Sequence, residues 1–313
     1  MDEKVGMDCR VCSAAGGKRL RTPDAHYSRC VQCGTLQKLM TEAEYRDMEP
    51  GYDPGSFLAS KSESDIRAFL AVDGLRAVIE RVCERHGIDP AGKSYLDVGC
   101  GMGGYMLAAR DLGMTVRGFE PSISHGTVAA DVLKLPVERT YYASDKVLPE
   151  KFDLIMLSHV IEHIYAPAPF VADLVAALKP GGVLVMVTPN AGALIARLVG
   201  KEWPMLVPVD HVTMLTPDGV PHLLPPGYTA ETRTFEYPFE MLATLGSVAK
   251  RALRGRATNH AGMAAAEAPR LMQTPSLRGR LVRAALTVGS APSYWLAGLL
   301  DKRAALEITV RRA

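Results

Sequence analysis

The sequence predicts an α/β chain built around an open, mostly parallel sheet, with a small cysteine-rich module ahead of it. Three observations carry this expectation. A strand, a glycine turn, a helix and a second strand ending in an acid follow one another in "SYLDVGCGMGGYMLAARDLGMTVRGFEP", residues 94–121. Two apolar runs, "FDLIMLS" and "GVLVMVT", flank an amphipathic stretch, as strands buried on both faces flank a crossover helix. Finally, "CRVC" and "CVQC" lie seventeen residues apart near the N-terminus.

With 313 residues, 36 basic side chains against 34 acidic and 48% apolar content, the chain can bury a sizeable core in more than one folding unit. Its start, "MDEKVGMDCR", is polar, and its most apolar late stretch, Leu281 to Leu300, is interrupted by Arg283 and Pro292. A cytoplasmic location is expected, and four cysteines paired as Cys-x-x-Cys agree with it.

Cys9, Cys12, Cys30 and Cys33 have the spacing of a zinc ribbon. Each Cys-x-x-Cys turn offers two thiolates to one side, and two turns complete a closed, structural sulfur shell. Gly34 suits the tight turn of the second knuckle. A redox dithiol is the competing reading, but the strand-then-helix context of such a site is missing around both pairs. Residues 1 to 50 carry about as many acids as bases, so no electrostatic footprint for nucleic acid is expected.

The turn-rich "EYRDMEPGYDPGSF" marks a connector. Ser62 to His86 then reads as one amphipathic helix, with Ser62 or Ser64 as N-cap and Gly87 as the stop. Cys83 on that helix reads as core filler.

In the glycine turn, Gly99, Gly101 and Gly104 satisfy G-x-G-x-x-G, and Gly103 adds a further position for close backbone approach. Glu120 ends the "TVRGF" strand, where a carboxylate can accept from both hydroxyls of a ribose. These features alone suit any adenosine-type cofactor, a nicotinamide dinucleotide included. Asp97 separates the alternatives. It brings a negative charge to the end of its strand, which would repel a pyrophosphate and attract the ammonium group of S-adenosylmethionine.

At these residues the sequence resembles the class I S-adenosylmethionine-dependent methyltransferases. "LDVGCGMGG" is similar to their first motif, "GFEP" to their ribose-binding strand end, and "LKPGGVLVMVTPN" to their turn into strand five. The resemblance covers roughly residues 93–240 and implies a Rossmann-like, doubly wound, seven-stranded sheet with an antiparallel last strand. It assigns Asp97, Gly99, Cys100, Gly101 and Gly103 to the cofactor, with Glu120, Pro121, Ser158 and His159 completing the wall. It also implies an adenine contact within "YYASD", Tyr141 to Asp145.

Behind strand four stands "SHVIEHI", residues 158–164. As a bare motif His159-x-x-Glu162-His163 matches the inverted zinc-peptidase pattern, but that chemistry needs a well-formed helix and here the motif adjoins a strand. In the resembled family this segment faces the methyl acceptor, so His159, Glu162 and His163 are candidate catalytic residues. Methyl transfer needs its partners positioned and, for a hydroxyl acceptor, a base; an imidazole oriented by a carboxylate suits that work. The segment is also similar to the Glu-x-x-Glu-His element with which ubiquinone-biosynthesis O-methyltransferases bind a divalent metal, although His159 replaces the first glutamate and weakens a hard-cation site. His211, in "WPMLVPVDHVTMLTP", is the fourth catalytic candidate, with Asp210 beside it to orient the ring, and Trp203 and Pro204 as acceptor-pocket lining or buried anchors.

"GYTAETRTFEYPF" reads as strand six and "AALEITVRR" as the last strand, at the sheet edge. Between them stands an insertion rich in bases, among them Lys250, Arg251, Arg254 and Arg256, followed by Tyr294 and Trp295. It reads as a lid whose bases face an anionic substrate, as a peripheral contact with anionic membrane, or as solvated helices packed on the sheet. The expected organisation is a zinc ribbon at 1–45, a connector and helix at 46–92, the cofactor-binding core at 93–240, a helical insertion at 241–298 and the final strand at 299–313. The layout resembles enzymes that methylate sugars, polysaccharide precursors or small metabolites. Oxygen is the expected acceptor atom, the carbon of a keto-sugar is the first alternative, and a catalytically silent cofactor-binding interaction protein is the second.

Overall fold

The computed structural model describes residues 4–5, 7–21, 26–48, 61–142, 151–203, 205–206, 210–235 and 302–313. The insertion expected at 241–298 lies outside them, as do Pro204 and residues 143–145 of the expected adenine contact.

The chain opens with β1 (Lys4–Val5), β2 (Gly17–Arg21), β3 (His26–Cys30) and β4 (Leu36–Lys38), each antiparallel to its predecessor. Cys9 and Cys12 occupy the connection between β1 and β2, while Cys30 and Cys33 span the turn from β3 towards β4. Gly34 takes the left-handed φ of +72° that this turn requires. Helix α1 (Glu42–Arg46) follows, with Thr41 and Glu44 capping one another's backbone.

The single helix expected over 62–86 is two: α2 (Glu63–Phe69) and α3 (Val72–His86), separated by Ala71 at φ +50°. Ser62 caps the first by accepting from Asp65 N–H, and Gly87 ends the second at φ +65°. The break lets both pieces reach the next helix. A Cβ on Gly104 would stand 2.8 Å from Leu75 Cδ1 and 3.6 Å from Leu70 Cβ, so a residue from each side of the bend packs there. Continuous three- and four-residue spacing could not reveal this.

The core then alternates β5 (Ser94–Val98), α4 (Gly104–Asp111), β6 (Thr115–Phe119), α5 (Ile123–Thr127), β7 (Val137–Glu138), β8 (Phe152–Ser158), α6 (Pro167–Ala176), β9 (Leu178–Pro189) and α7 (Leu194–Val199). It continues with β10 (Thr213–Met214), β11 (Tyr228–Phe235) and β12 (Ala305–Arg312). Seven of these strands form one sheet in the order β11-β12-β9-β8-β5-β6-β7, and β12 runs antiparallel to both its neighbours. Helix α6 ends at Ala176, ahead of Pro180-Gly181-Gly182. The Pro-Gly-Gly instead forms an irregularity within β9, where the pairing steps from Phe152↔Leu178 to Leu154↔Val183.

The last strand is not at the sheet edge: β12 lies between β9 and β11, and β11 takes the edge. The alternation of "ALEITVRR" misleads because its polar members are used internally. Thr309 is buried, and Glu307 pairs with Arg85 of α3.

One face of the sheet packs Leu96, Phe119, Leu157 and Met186 against Val171 and Leu174 of α6. The other packs Tyr95, Val116, Met156 and Val185 against α3 and α4, with Cys83 buried there. Sheet order reverses between β5 and β8, so the carboxyl ends of β5, β6 and β8 open into one crevice, the usual ligand position of such sheets. The cysteine-bearing sheet also has a member from far along the chain. Strand β10 pairs antiparallel with β4, Thr213 opposite Gln37 and Met214 opposite Leu36. Among the described residues no helix is long and apolar enough to cross a membrane.

Candidate active site

The glycine turn connects β5 to α4. Gly99, Gly101 and Gly103 all have left-handed φ, at +71°, +54° and +85°. Their surroundings differ: a Cβ on Gly99 would stand 2.4 Å from Val160 Cγ2, one on Gly103 would stand 2.4 Å from Leu135 Cδ1, and one on Gly101 would meet nothing within 4 Å. The first contact seats the turn against the segment behind β8, and the open side at Gly101 is a cradle from which ligand atoms are not excluded. Cys100 is buried, with its thiol near the Gly101 carbonyl.

Asp97 is 2% exposed, and its Oδ2 has no hydrogen-bond partner. Burial, and after it the nearby Glu120 carboxylate, push its pKa up to about 8. An unpartnered buried carboxylate oxygen is costly in the free protein, and an ammonium group would relieve that cost. Glu120, at the end of β6, accepts from Gly101 N–H at 2.7 Å and from Ser122 N–H at 2.8 Å, one on each oxygen. Pro121 begins the turn between them. An unpartnered acid, an open glycine and an oriented carboxylate fit the ammonium and ribose of S-adenosylmethionine. In the region expected to contact adenine, Tyr141 is exposed, and Tyr142 packs edge-on against Phe119 and Phe170.

Beyond Ser158, the last residue of β8, His159 adopts φ +57°. A histidine in the left-handed region is uncommon and strained backbone of this kind clusters at functional sites. Its ring is 44% exposed, and Nδ1 lies 3.0 Å from Oε1 of Glu162, which is fully buried. Thr188 of β9 donates to the other carboxylate oxygen at 2.9 Å. Burial alone would raise the Glu162 pKa, but the hydrogen bond from His159 and the potential of His159, His211 and His163 outweigh it and hold the carboxyl down at about 2. Glu162 is therefore an ionised orienting group.

His163 and His211 complete the cluster. Their rings meet edge to face with centroids 4.9 Å apart. His163 Nδ1 lies 2.8 Å from the Asp210 carbonyl and His211 Nδ1 lies 2.6 Å from the Met205 carbonyl. Both rings therefore carry their proton on Nδ1 and present Nε2 as the basic nitrogen. Burial lowers the His211 pKa against the opposing pull of Glu162. Ligand atoms of Glu162, His163 and His211 all lie within 4.8 Å of one another. Asp210 orients His163 through its backbone, not His211 through its side chain as the sequence suggested. Trp203, 1% exposed, packs with Tyr27, Leu36 and Met214 as a buried anchor.

The four cysteine sulfurs also lie within 4.8 Å of one another, with Cys9–Cys33 at 3.7 Å and Cys12–Cys30 at 3.5 Å. The hydrogen bond from Cys9 lowers the Cys33 pKa, the direction a cation-binding thiol needs.

Sequence reasoning missed Arg10, inside the first Cys-x-x-Cys turn. Its guanidinium donates to the carbonyls of Lys38, Met40 and Val212 and stacks 3.9 Å from the centre of the Tyr165 ring. It missed Thr188 too. Neither residue carries a local signal, because the partners of both are distant in sequence.

A family model described as a methyltransferase domain matches residues 67–224. Among curated proteins, the ubiquinone biosynthesis O-methyltransferase of Methylobacterium sp. (strain 4-46) is 31% identical over 142 residues, 41% of this chain and 57% of that protein. Its counterpart in Rhodopseudomonas palustris (strain HaA2) is 31% identical over 121 residues, 37% of this chain and 48% of that protein. The chain thus spans about half the length of the curated relatives it matches. A solved S-adenosylmethionine-dependent methyltransferase from Mesorhizobium loti is 18% identical with a TM-score of 0.45, covering 74% of this chain and 96% of that one. With the family match running through half of its length, from α2 to the end of the turn after β10, the chain belongs to the class I S-adenosylmethionine-dependent methyltransferases.

Proposed function

We propose that this protein methylates an oxygen of a small acceptor, a sugar, polysaccharide precursor or small metabolite, with His159 as the base. The observation that carries the reading is the His159–Glu162 pair: a half-exposed imidazole at the crevice, with a buried ionised carboxylate on its Nδ1. In that arrangement the imidazole receives the acceptor's proton, and Glu162 stabilises the imidazolium that results. S-adenosylmethionine would supply the methyl carbon from its sulfonium. Asp97 would hold its ammonium and Glu120 its ribose hydroxyls, while Gly99, Gly101 and Gly103 keep the backbone close, with Cys100, Pro121 and Ser158 forming the surrounding wall. The acceptor oxygen would gain the methyl group as the carbon–sulfur bond breaks, and His159 would take the proton.

A second reading has its own observation. Glu162, His163 and His211 gather their ligand atoms, and each imidazole has its Nδ1 held by a carbonyl, the outer support common to metal-bound histidines. Two nitrogens and one carboxylate suit zinc, manganese or iron better than magnesium. At the cysteines, zinc is proposed as a structural ion. Sulfurs 2.3 Å from a tetrahedral zinc stand about 3.8 Å apart, close to the spacing of the two sulfur pairs.

The test uses purified protein, methyl-labelled S-adenosylmethionine and a panel of nucleotide sugars and hydroxylated metabolites. His159→Ala should lower product formation by about 10²–10⁴-fold while calorimetric S-adenosylhomocysteine affinity stays unchanged. Equal turnover by the variant would remove His159 as base. A product methylated at carbon would turn the reading to a keto-sugar C-methyltransferase, and cofactor binding without consumption across the panel would turn it to an interaction protein. Metal analysis should find one zinc per chain, lost in Cys33→Ser.

A further inference from the structure

We propose that the cysteine module positions the histidine cluster, and that Arg10 is the positioning residue through which it does so. The inference rests on the reading that this cluster serves the acceptor. Arg10 is held at both ends. Its backbone N–H donates to Gln37 Oε1 at 2.9 Å, and Gln37 Nε2 donates to the Asp8 carbonyl at 2.9 Å, fastening the first knuckle to β4. Its Nη2 donates to the Lys38 and Met40 carbonyls, both at 2.8 Å, and its Nη1 to the Val212 carbonyl at 3.3 Å.

The reach of this one cation is what matters. Val212 directly follows His211, and its N–H donates to the Glu162 carbonyl at 2.8 Å. Lys38 N–H also donates to the Val212 carbonyl, at 2.9 Å, where the β4–β10 pairing begins. Tyr165, under the guanidinium, stands two residues beyond His163. Asp210, whose carbonyl orients the His163 ring, stands two residues before Val212. A planar fork thus joins the first knuckle to both segments that carry histidines. Thr216 adds a parallel tie by donating to the Cys33 carbonyl of the second knuckle. A charge serving only solubility would point to water, whereas this one is used on three backbone carbonyls and an aromatic face. A lysine's single ammonium cannot reproduce that geometry.

The experiment compares wild type, Arg10→Lys and Arg10→Ala as full chains. Three quantities are read: bound zinc, S-adenosylhomocysteine affinity by calorimetry, and the ring-nitrogen shifts of His163 and His211 by NMR at one fixed pH. Zinc content and cofactor affinity should stay within about twofold of wild type, because neither site touches the guanidinium. The histidine ring-nitrogen shifts should move, and the Val212 amide should exchange about tenfold faster, as expected for local opening after loss of a charge-assisted hydrogen bond. Arg10→Lys should give the same changes at reduced size, and it carries the test should Arg10→Ala fail to fold. Unaltered ring-nitrogen shifts and unaltered exchange in a folded variant would overturn the proposal. Turnover does not enter these readouts. A failure of His159 as base leaves them unchanged, and a failure here leaves the base reading standing.

Discussion

The two sides of the crevice are built in opposite ways. Most of the side assigned to the cofactor comes from one continuous stretch, β5 through the start of α5, in which Asp97, three glycines and Glu120 are brought together by a strand, a turn and a neighbouring parallel strand. The histidine side is assembled from four distant pieces: the first cysteine knuckle, β4, the segment behind β8, and the approach to β10. The first side is dictated by local backbone geometry. The second depends on long-range carbonyl contacts that fix where each imidazole points. A site of the first kind tolerates changes elsewhere in the fold, and one of the second kind does not.

The largest expected effect is on the second side. Glu162→Ala removes a fully buried, ionised carboxylate that binds His159 and Thr188 and lies beside two further histidines. Breaking a buried charged network by deleting one partner costs about 3–5 kcal/mol. Chemical denaturation should register that loss with an unchanged denaturant slope. Loss below about 1 kcal/mol would mean that the cluster is not an energetic unit.

The same contrast explains what could be read in the sequence. The glycine turn, Asp97 and Glu120 were legible because each constraint spans a few residues: a positive φ, a strand end, an acid on the adjacent strand. The four cysteines were legible from spacing, and the continuous apolar strands from burial on both faces. The histidines were visible as candidates, but their division of labour was not. Which ring is oriented by Glu162 and which by a carbonyl depends on β10 joining β4, and a two-residue strand has no periodicity to detect. Arg10 looked like any knuckle charge. The break at Ala71 and the interior position of β12 likewise involve tertiary partners, Gly104 packing against both sides of the break and β9 and β11 pairing on either side of β12.

A smaller effect is expected on the first side. Asp97→Asn keeps the shape of the residue and removes the charge that would meet an ammonium group. A hydrogen bond to a charged partner contributes about 1.5–3 kcal/mol, so S-adenosylmethionine affinity should fall by roughly 10- to 150-fold. The fold should be little affected, because the ligand-free protein already holds Asp97 protonated below about pH 8. If calorimetry instead gave unchanged S-adenosylmethionine affinity and tight binding of NADH, the cofactor side would have been assigned to the wrong ligand.

The smallest effect is also the most specific to that side. Burial and Glu120 raise the folded-state pKa of Asp97 from its ordinary value of 3.8 to about 8. Between those values the native ligand-free protein holds a proton that the unfolded chain releases. Its contribution to stability is complete below the lower pKa and declines as pH rises through the upper one. An ammonium group bound at Asp97 favours the carboxylate, so cofactor binding below pH 8 must expel that proton and tighten as pH rises. The steepest slope is one proton, about 1.4 kcal/mol or tenfold in affinity per pH unit. Calorimetry of S-adenosylhomocysteine at pH 6.5 in buffers of different ionisation enthalpy should report release approaching one proton, and Asp97→Asn should abolish it. Release that persists in the variant would place the titrating group elsewhere and separate the ammonium contact from Asp97.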